Sequence, residues 1–367
     1  MPLKRVGILT GGGDCSGLNA VIRAVTRTAI IQYKAKVIGL ENGFDGLVFG
    51  RTMGLTTRNT RDILTLGGTI LGTTNKGNPF AYREFNDQGE IVVRDLSDQA
   101  MKTFRDLELD CLFVVGGEGT LELAHKFQLM GMPVVGIPKT IDNDLFGTDY
   151  TFGFQTAVQV ACDAMDRLQT TGRSHDRVMI LEVMGRYAGW IALEAGLAGG
   201  AHIILIPEIP YNLDYVVTKI QHRIRGGSPF SIIMVAEGAC EQGGQRISQG
   251  TADNRLQGVE QLGGIGFHLA AQIRERIPLE VRTTVLGHIQ RGGSPTSFDR
   301  VLGTRLGVAA VDAAARGEFG TMVALKTPDI ILVPLGELAG LCRTVPVDHQ
   351  LLRAAEATGV NLGRGAM

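Results

Sequence analysis

Short apolar, β-prone runs recur along this chain, and glycines stand directly after several of them. Residues 5–10 lead into Gly11-Gly12-Gly13, and residues 111–115 into Gly116-Gly117. A strand that is apolar on both faces has nowhere to meet water, so it belongs inside a parallel sheet covered on each side by helices. Further runs at 35–40, 134–137, 178–183, 203–207, 232–236, 282–286 and 322–325 read the same way. Between them, residues 18–31, 120–130, 156–168, 188–198 and 259–276 carry helical spacing. The pattern predicts an α/β protein of two doubly wound, mainly parallel sheet domains, with the active site in the cleft between them. Turn residues near 146–153 and 287–295 mark the crossings. The expected division is 1–150 plus about 290–330 for one domain and 151–289 for the other, leaving 331–367 as a C-terminal segment of unassigned role.

Composition narrows the partners. Apolar residues at 44% and charged residues at 20% exclude a disordered chain. Thirty-six Lys and Arg against 37 Asp and Glu leave no basic excess for a nucleic-acid partner. Cys15, Cys111, Cys162, Cys240 and Cys342 are dispersed and form no CxxC pair, so they read as reduced thiols rather than a disulfide frame or a zinc site. With no signal-like start and no run of 18 apolar residues, a cytoplasmic protein without a membrane partner is expected. Fifty of the 367 residues are glycine, nearly twice the usual ~7%, which points to many tight turns.

Five segments carry candidate chemistry. Thr10-Gly-Gly-Gly-Asp-Cys-Ser-Gly-Leu-Asn19 leaves backbone N–H groups free to meet phosphate oxygens at a helix start, although a tight strand-to-helix turn would use the same glycines. Its spacing fits neither a dinucleotide fingerprint nor a P-loop. In Val114-Val-Gly-Gly-Glu-Gly-Thr-Leu121, Glu118 falls where an oxygen ligand for a metal, or a plain helix-start acid, would sit. Pro138-Lys-Thr-Ile-Asp-Asn-Asp144 sets Asp142 and Asp144 two residues apart, so both carboxylates face one way in extended chain. Two crowded acids want a cation or a proton, which a magnesium-assisted phosphoryl transfer with a carboxylate base would satisfy; an Asx-rich turn is the plainer reading. Lys139 offers a point charge for phosphate. Val183-Met-Gly-Arg-Tyr-Ala-Gly189 and Val285-Leu-Gly-His-Ile-Gln-Arg-Gly-Gly-Ser-Pro295 add Arg186, His288 and Arg291, with Arg282 upstream, as cations for a phosphate monoester.

Taken together and in order, from Arg5 to about Leu325, these segments resemble the phosphofructokinase family. The resemblance implies transfer of a phosphoryl group from MgATP to the C1 hydroxyl of fructose 6-phosphate. It places Asp142 as general base, with Thr140, Asp144 and Arg186 at the transferring group. Gly13, Phe44, Glu118, Gly119, Thr120 and Lys139 match the donor side, with Glu118, in place of the family's more usual Asp, near Mg2+. Met184, Gly185, Arg186, Glu237, His288 and Arg291 match the sugar-phosphate pocket. Arg177 and Arg282 match arginines supplied across a subunit interface, which implies a homo-oligomer, a tetramer or a dimer.

The family divides between ATP and pyrophosphate as donor. Its pyrophosphate branch carries Asp at the position of Gly119, where a side chain would fill the space of the nucleotide's α-phosphate, so Gly119 favours ATP. Lys139 is shared with the pyrophosphate branch, and pyrophosphate stays the alternative donor. Asn75, with Lys76 beside it, stands where the short ATP enzymes have an arginine bridging both substrates. Arg23 and Arg27 match part of an effector site, but its acidic member aligns with His202 and its later basic members with Ser228-Pro229. Control by a nucleoside diphosphate or phosphoenolpyruvate is therefore not implied. Sedoheptulose 7-phosphate would present the same groups to the sugar pocket. A nicotinamide or diacylglycerol kinase shares only the segment around Glu118, and a non-catalytic relative would be expected to lack Asp142.

Overall fold

The structure, a computed structural model, describes residues 3–74, 77–86, 88–248, 262–338 and 340–365. Asn75 and Lys76, and residues 259–261 of the expected fifth helix, lie outside the described residues. In chain order the first part comprises β1 (Arg5–Thr10), α1 (Leu18–Ile31), β2 (Lys36–Leu40), α2 (Phe44–Phe49), β3 (Thr52–Leu55), β4 (Tyr82–Phe85) and β5 (Ile91–Arg94). Then come α3 (Ser97–Asp106), β6 (Cys111–Gly116), α4 (Glu118–Leu129), β7 (Val134–Thr140), β8 (Phe152–Gly153) and α5 (Phe154–Ser174). The middle holds β9 (Val178–Val183), α6 (Trp190–Ala198), β10 (Ile203–Leu205), α7 (Leu213–Arg225), β11 (Ser231–Ala236), α8 (Ile265–Arg274) and β12 (Val281–Val285). A short 3-10 turn (Gly287–Arg291), α9 (Ser297–Arg316), β13 (Thr321–Lys326), β14 (Asp329–Pro334) and α10 (Gln350–Ala357) complete it.

Two main sheets organise these elements, as an α/β chain of this pattern requires, and β4 and β5 pair antiparallel with each other as a separate two-stranded sheet. The larger runs β14-β13-β7-β6-β1-β2-β3, with β8 paired to β7; the smaller runs β10-β11-β9-β12. Every pairing within the smaller sheet is parallel, and the larger is parallel apart from its two edges, β2–β3 and β13–β14. All nine strands read from the sequence are present. The antiparallel edge strands escape that reading: β3 is short and half exposed, and β14, although it carries the apolar run Ile330–Val333, has no buried residue. β14 carries the large sheet past residue 330, where the sequence placed the end of its share.

One hydrophobic core runs between the sheets, joining Val115 and Ile137 of the larger to Leu181 and Met234 of the smaller. Separate clusters back the outer face of each sheet. α9 returns across the large sheet against α1, and small residues permit it: a Cβ on Gly307 would stand 2.7 Å from that of Ala24. The carboxyl ends of β1, β6 and β7 are thereby turned toward those of β9, β11 and β12, across a shared cleft. Among the described residues no helix is long and apolar enough to cross a membrane, and all five cysteines are free thiols.

Candidate active site

The cleft encloses about 1000 Å³, and its walls are the turns that follow those six strands. From the large sheet come Gly13 after β1, Glu118, Gly119 and Thr120 at the start of α4, and Lys139, Thr140, Asp142 and Asp144 at the end of β7. Phe44, at the start of α2, closes one side. From the small sheet come Met184 and Arg186 after β9, Glu237 after β11, and His288 and Arg291 after β12. Fourteen of the residues singled out by sequence thus meet in one cavity, although they come from seven separate stretches of chain.

The first glycine loop is shaped by what presses on it. A Cβ on Gly13 would sit 2.0 Å from a guanidinium nitrogen of Arg291, so the glycine lets the Arg291 side chain of the other sheet's loop lie against this one. The buried Lys139 ammonium donates to the Gly13 carbonyl, which ties β7 to the loop after β1. Burial lowers the Lys139 pKa. Gly11 and Gly116 leave room for the Thr120 side chain, whose methyl would lie 2.7 Å from a Cβ on Gly11. Thr120 therefore packs between the ends of β1 and β6 as well as facing the cleft. A Cβ at Gly119, by contrast, would meet no atom within 4 Å. Phe44 is almost wholly buried and packs on Phe127 at 5.6 Å, so it serves the core while edging the cavity.

At the end of β7 the chain turns sharply. Asn143 adopts a left-handed backbone, φ 53°, and its side-chain carbonyl accepts the Thr151 N–H at 3.0 Å. The Asp142 N–H donates to the Thr140 hydroxyl at 3.0 Å. Asp142 is 5% exposed, and its Oδ1 has no hydrogen-bond partner. Burial, reinforced by the charges of Asp144 and Glu237, pushes its carboxyl up to about 7. Burial also raises Asp144. Glu118, at the exposed start of α4, is raised by its partial burial and then by Asp144 and Glu122. Across the cleft, Glu237 accepts the Arg186 N–H at 3.1 Å, and the Arg186 side chain lies against the Tyr187 ring. Met184 donates its N–H to Gln290 Oε1 at 2.7 Å. Gly185, at φ 145° with the Ala188 carbonyl 2.5 Å from a Cβ, lets the loop fold over without itself lining the cavity.

Arg177 and Arg282 stand elsewhere. Each immediately precedes or opens a small-sheet strand, at the amino edge away from the cleft, and both pair with Glu280. His202 cannot replace an effector-site acid: burial pulls its pKa down to about 4, and its Nδ1 accepts the Ile232 N–H at 3.0 Å. Sequence reasoning missed Glu182, a cavity-lining residue whose carboxylate accepts the Gly264 and Gly266 N–H groups at 2.8 Å and so holds the start of α8. Its signal was available, since it is the lone acid in the otherwise apolar β9. Arg83, on β4, also lines the cavity and was not anticipated.

The profile of the phosphofructokinase family matches residues 5–314. The chain belongs to the phosphofructokinase family. It is 50% identical over 361 residues to the ATP-dependent 6-phosphofructokinase of Chloroflexus aurantiacus, covering 98% of each. It is also 49% identical over 346 residues to the pyrophosphate–fructose 6-phosphate 1-phosphotransferase of Amycolatopsis methanolica, covering 94% of this chain and 97% of that one. Among solved structures, Pichia pastoris phosphofructokinase in the T-state superposes with TM-score 0.79 at 30% identity; the match spans 98% of this chain and 37% of that longer one.

Proposed function

We propose that this protein transfers the terminal phosphoryl group of ATP to the C1 hydroxyl of fructose 6-phosphate, giving fructose 1,6-bisphosphate in glycolysis. The observation that carries the reading is Asp142: a buried carboxylate with an unpartnered oxygen, standing in the cleft between the glycine loops and the arginines. A base with its pKa near 7 is matched to taking a hydroxyl proton at neutral pH. Lys139 and the loop N–H groups line the donor side, and Arg186, His288 and Arg291 offer cations to the sugar phosphate. Thr140 and Asp144 flank the group in transit. Phosphoryl transfer asks mainly for positioning and charge neutralisation, which this arrangement supplies.

Magnesium fits the residues present. Among the described residues no three of His, Cys, Asp and Glu converge to hold a metal unaided. A magnesium ion that arrives with nucleotide needs only one or two carboxylates, and Glu118 is placed to be one. Bound there, it would neutralise charge on the donor phosphates.

Donor choice cannot rest on overall identity, because relatives named for either donor stand at about the same distance. The open space around Gly119 supports ATP, because nothing fills the position that a bulkier residue would occupy. Purified protein with magnesium and fructose 6-phosphate should make product with ATP and not with pyrophosphate; turnover with pyrophosphate alone would overturn the reading. The large-sheet part is read as the donor side and residues 151–289 as the sugar side. Arg177 and Arg282, far from their own cleft, are read as completing a neighbouring subunit's site in a cytoplasmic homo-oligomer. A monomer of full activity in light scattering would refute that.

A further inference from the structure

Residues 341–345 lie beyond the family profile, which ends at 314. In space they run antiparallel to the turn that carries Asp142, with Leu145 bridged to Cys342. The Arg343 N–H donates to the Asp144 carbonyl at 2.7 Å, and its guanidinium Nη1 to the Asn143 carbonyl at 3.0 Å. The guanidinium also stacks on the Trp190 ring, 4.2 Å from its centre, while the Trp190 indole N–H donates to the Arg343 carbonyl at 2.9 Å. Two residues on, the Val345 N–H reaches Glu208, whose carboxylate also accepts the Gly189 N–H at 2.9 Å. Trp190 opens α6, directly after the Met184–Gly189 loop.

We propose that Arg343 is a positioning residue for phosphoryl transfer, fixing the Asn143–Asp144 turn against α6 so that Asp142 meets the acceptor hydroxyl held by the opposite wall. The proposal rests on the reading of Asp142 as base. Three features support it. The chain reverses at Asn143 in a left-handed backbone, and Arg343 bonds the carbonyls of both Asn143 and Asp144 there. The guanidinium is planar and bonds and stacks at once, which a lysine ammonium cannot do. Through Trp190 it joins the base-bearing turn of the large sheet to the sugar-side loop of the small sheet. Arg343 does not line the cleft and so acts only through what it holds.

Arg343→Met retains a long stem and every backbone bond, so it isolates the guanidinium. The expected result is a loss in kcat of about 10²-fold, the scale of a small misplacement of reacting groups. The KM for fructose 6-phosphate, and its affinity by titration calorimetry, should stay within about twofold, because ground-state binding is untouched. Arg343→Lys should recover part of the loss. Trp190→Phe keeps the ring and removes the indole donor; it should lower kcat less, again with KM steady, and it carries the test should Arg343→Met fail to melt cooperatively. A kcat within about twofold of wild type in folded Arg343→Met, or a fall that merely tracks the folded fraction, would overturn the proposal. So would a rise in KM at unchanged kcat. Asp142→Asn measured alongside separates the two readings: if it turns over normally, the assignment of the base has failed, whereas an inactive Asp142→Asn beside a normal Arg343→Met condemns only the role of Arg343.

Discussion

The two walls of the cleft are built differently. On the large-sheet wall several groups at the end of β7 are buried and already bonded: Lys139 to Gly13, the Asp142 N–H to Thr140, and the Asn143 side chain to Thr151, leaving the Asp142 Oδ1 unpartnered. On the small-sheet wall Arg186 and His288 are exposed, and neither they nor Arg291 make an ion pair among the described residues. The difference follows from what each wall is asked to do. Groups that act on charge developing in transit work best when fixed in advance in a dry place, since no reorganisation is then needed. Cations that receive a phosphate gain from standing free until it arrives, because a competing carboxylate would have to be displaced. On the proposed function, one wall would be preorganised for chemistry and the other left open for binding.

Asp142→Asn removes the base from the rigid wall and should lower kcat by about 10²–10⁴-fold while fructose 6-phosphate still binds in calorimetry. Retained turnover would show that the rigid wall does not hold the base. Next in size, Arg186→Met or Arg291→Met on the open wall should weaken the sugar phosphate roughly 10- to 100-fold in KM, the worth of one charge-assisted hydrogen bond. A loss confined to kcat would mean that these cations act on the transition state rather than on binding.

Gly119→Asp probes the one open point of the donor side. A Cβ there meets no atom within 4 Å, so the melting temperature should hold, while KM for ATP rises about tenfold or more through repulsion of the nucleotide phosphates. An unchanged KM for ATP would remove Gly119 from the argument about the donor.

The smallest effects concern pH. Because Asp142 is raised by burial to about 7, kcat should fall as pH drops below that value and the base becomes protonated. In the ligand-free protein the same shift opposes folding. The folded carboxyl holds its proton up to about 7, while the unfolded one releases it near 3.8, so stability falls as pH rises through that window. Asp142→Asn should therefore melt a little higher than wild type at pH 8 and show no such gain at pH 4. A variant less stable than wild type at pH 8 would mean that the buried carboxylate is compensated, contrary to its unpartnered oxygen.

Much of this molecule can be read from local pattern. A strand buried on both faces must be apolar throughout, so β1, β6, β7, β9 and β11 announce themselves residue by residue. Glycine at the ends of such strands marks where backbone comes close to something, and the acids and cations beside those glycines name the chemistry. Local pattern cannot place the edges: β3 is too short and mixed in character to stand out, and nothing local marks the apolar run Ile330–Val333 of β14 as an edge strand without a buried residue. Nor could composition show that Gly13 faces Arg291, 278 positions later, or that Arg343 clasps the turn at Asn143. By itself, then, the sequence determined the parallel sheets, the loops that carry the site and the kind of reaction. Only the tertiary structure decided which side chains are buried beside one another, and with that the raised pKa of Asp142, the locked Lys139 and the contact of a C-terminal segment without a motif with the turn at Asn143. The physical reason is that burial and contact arise when distant segments pack, and no local stretch of chain encodes its neighbour across the core.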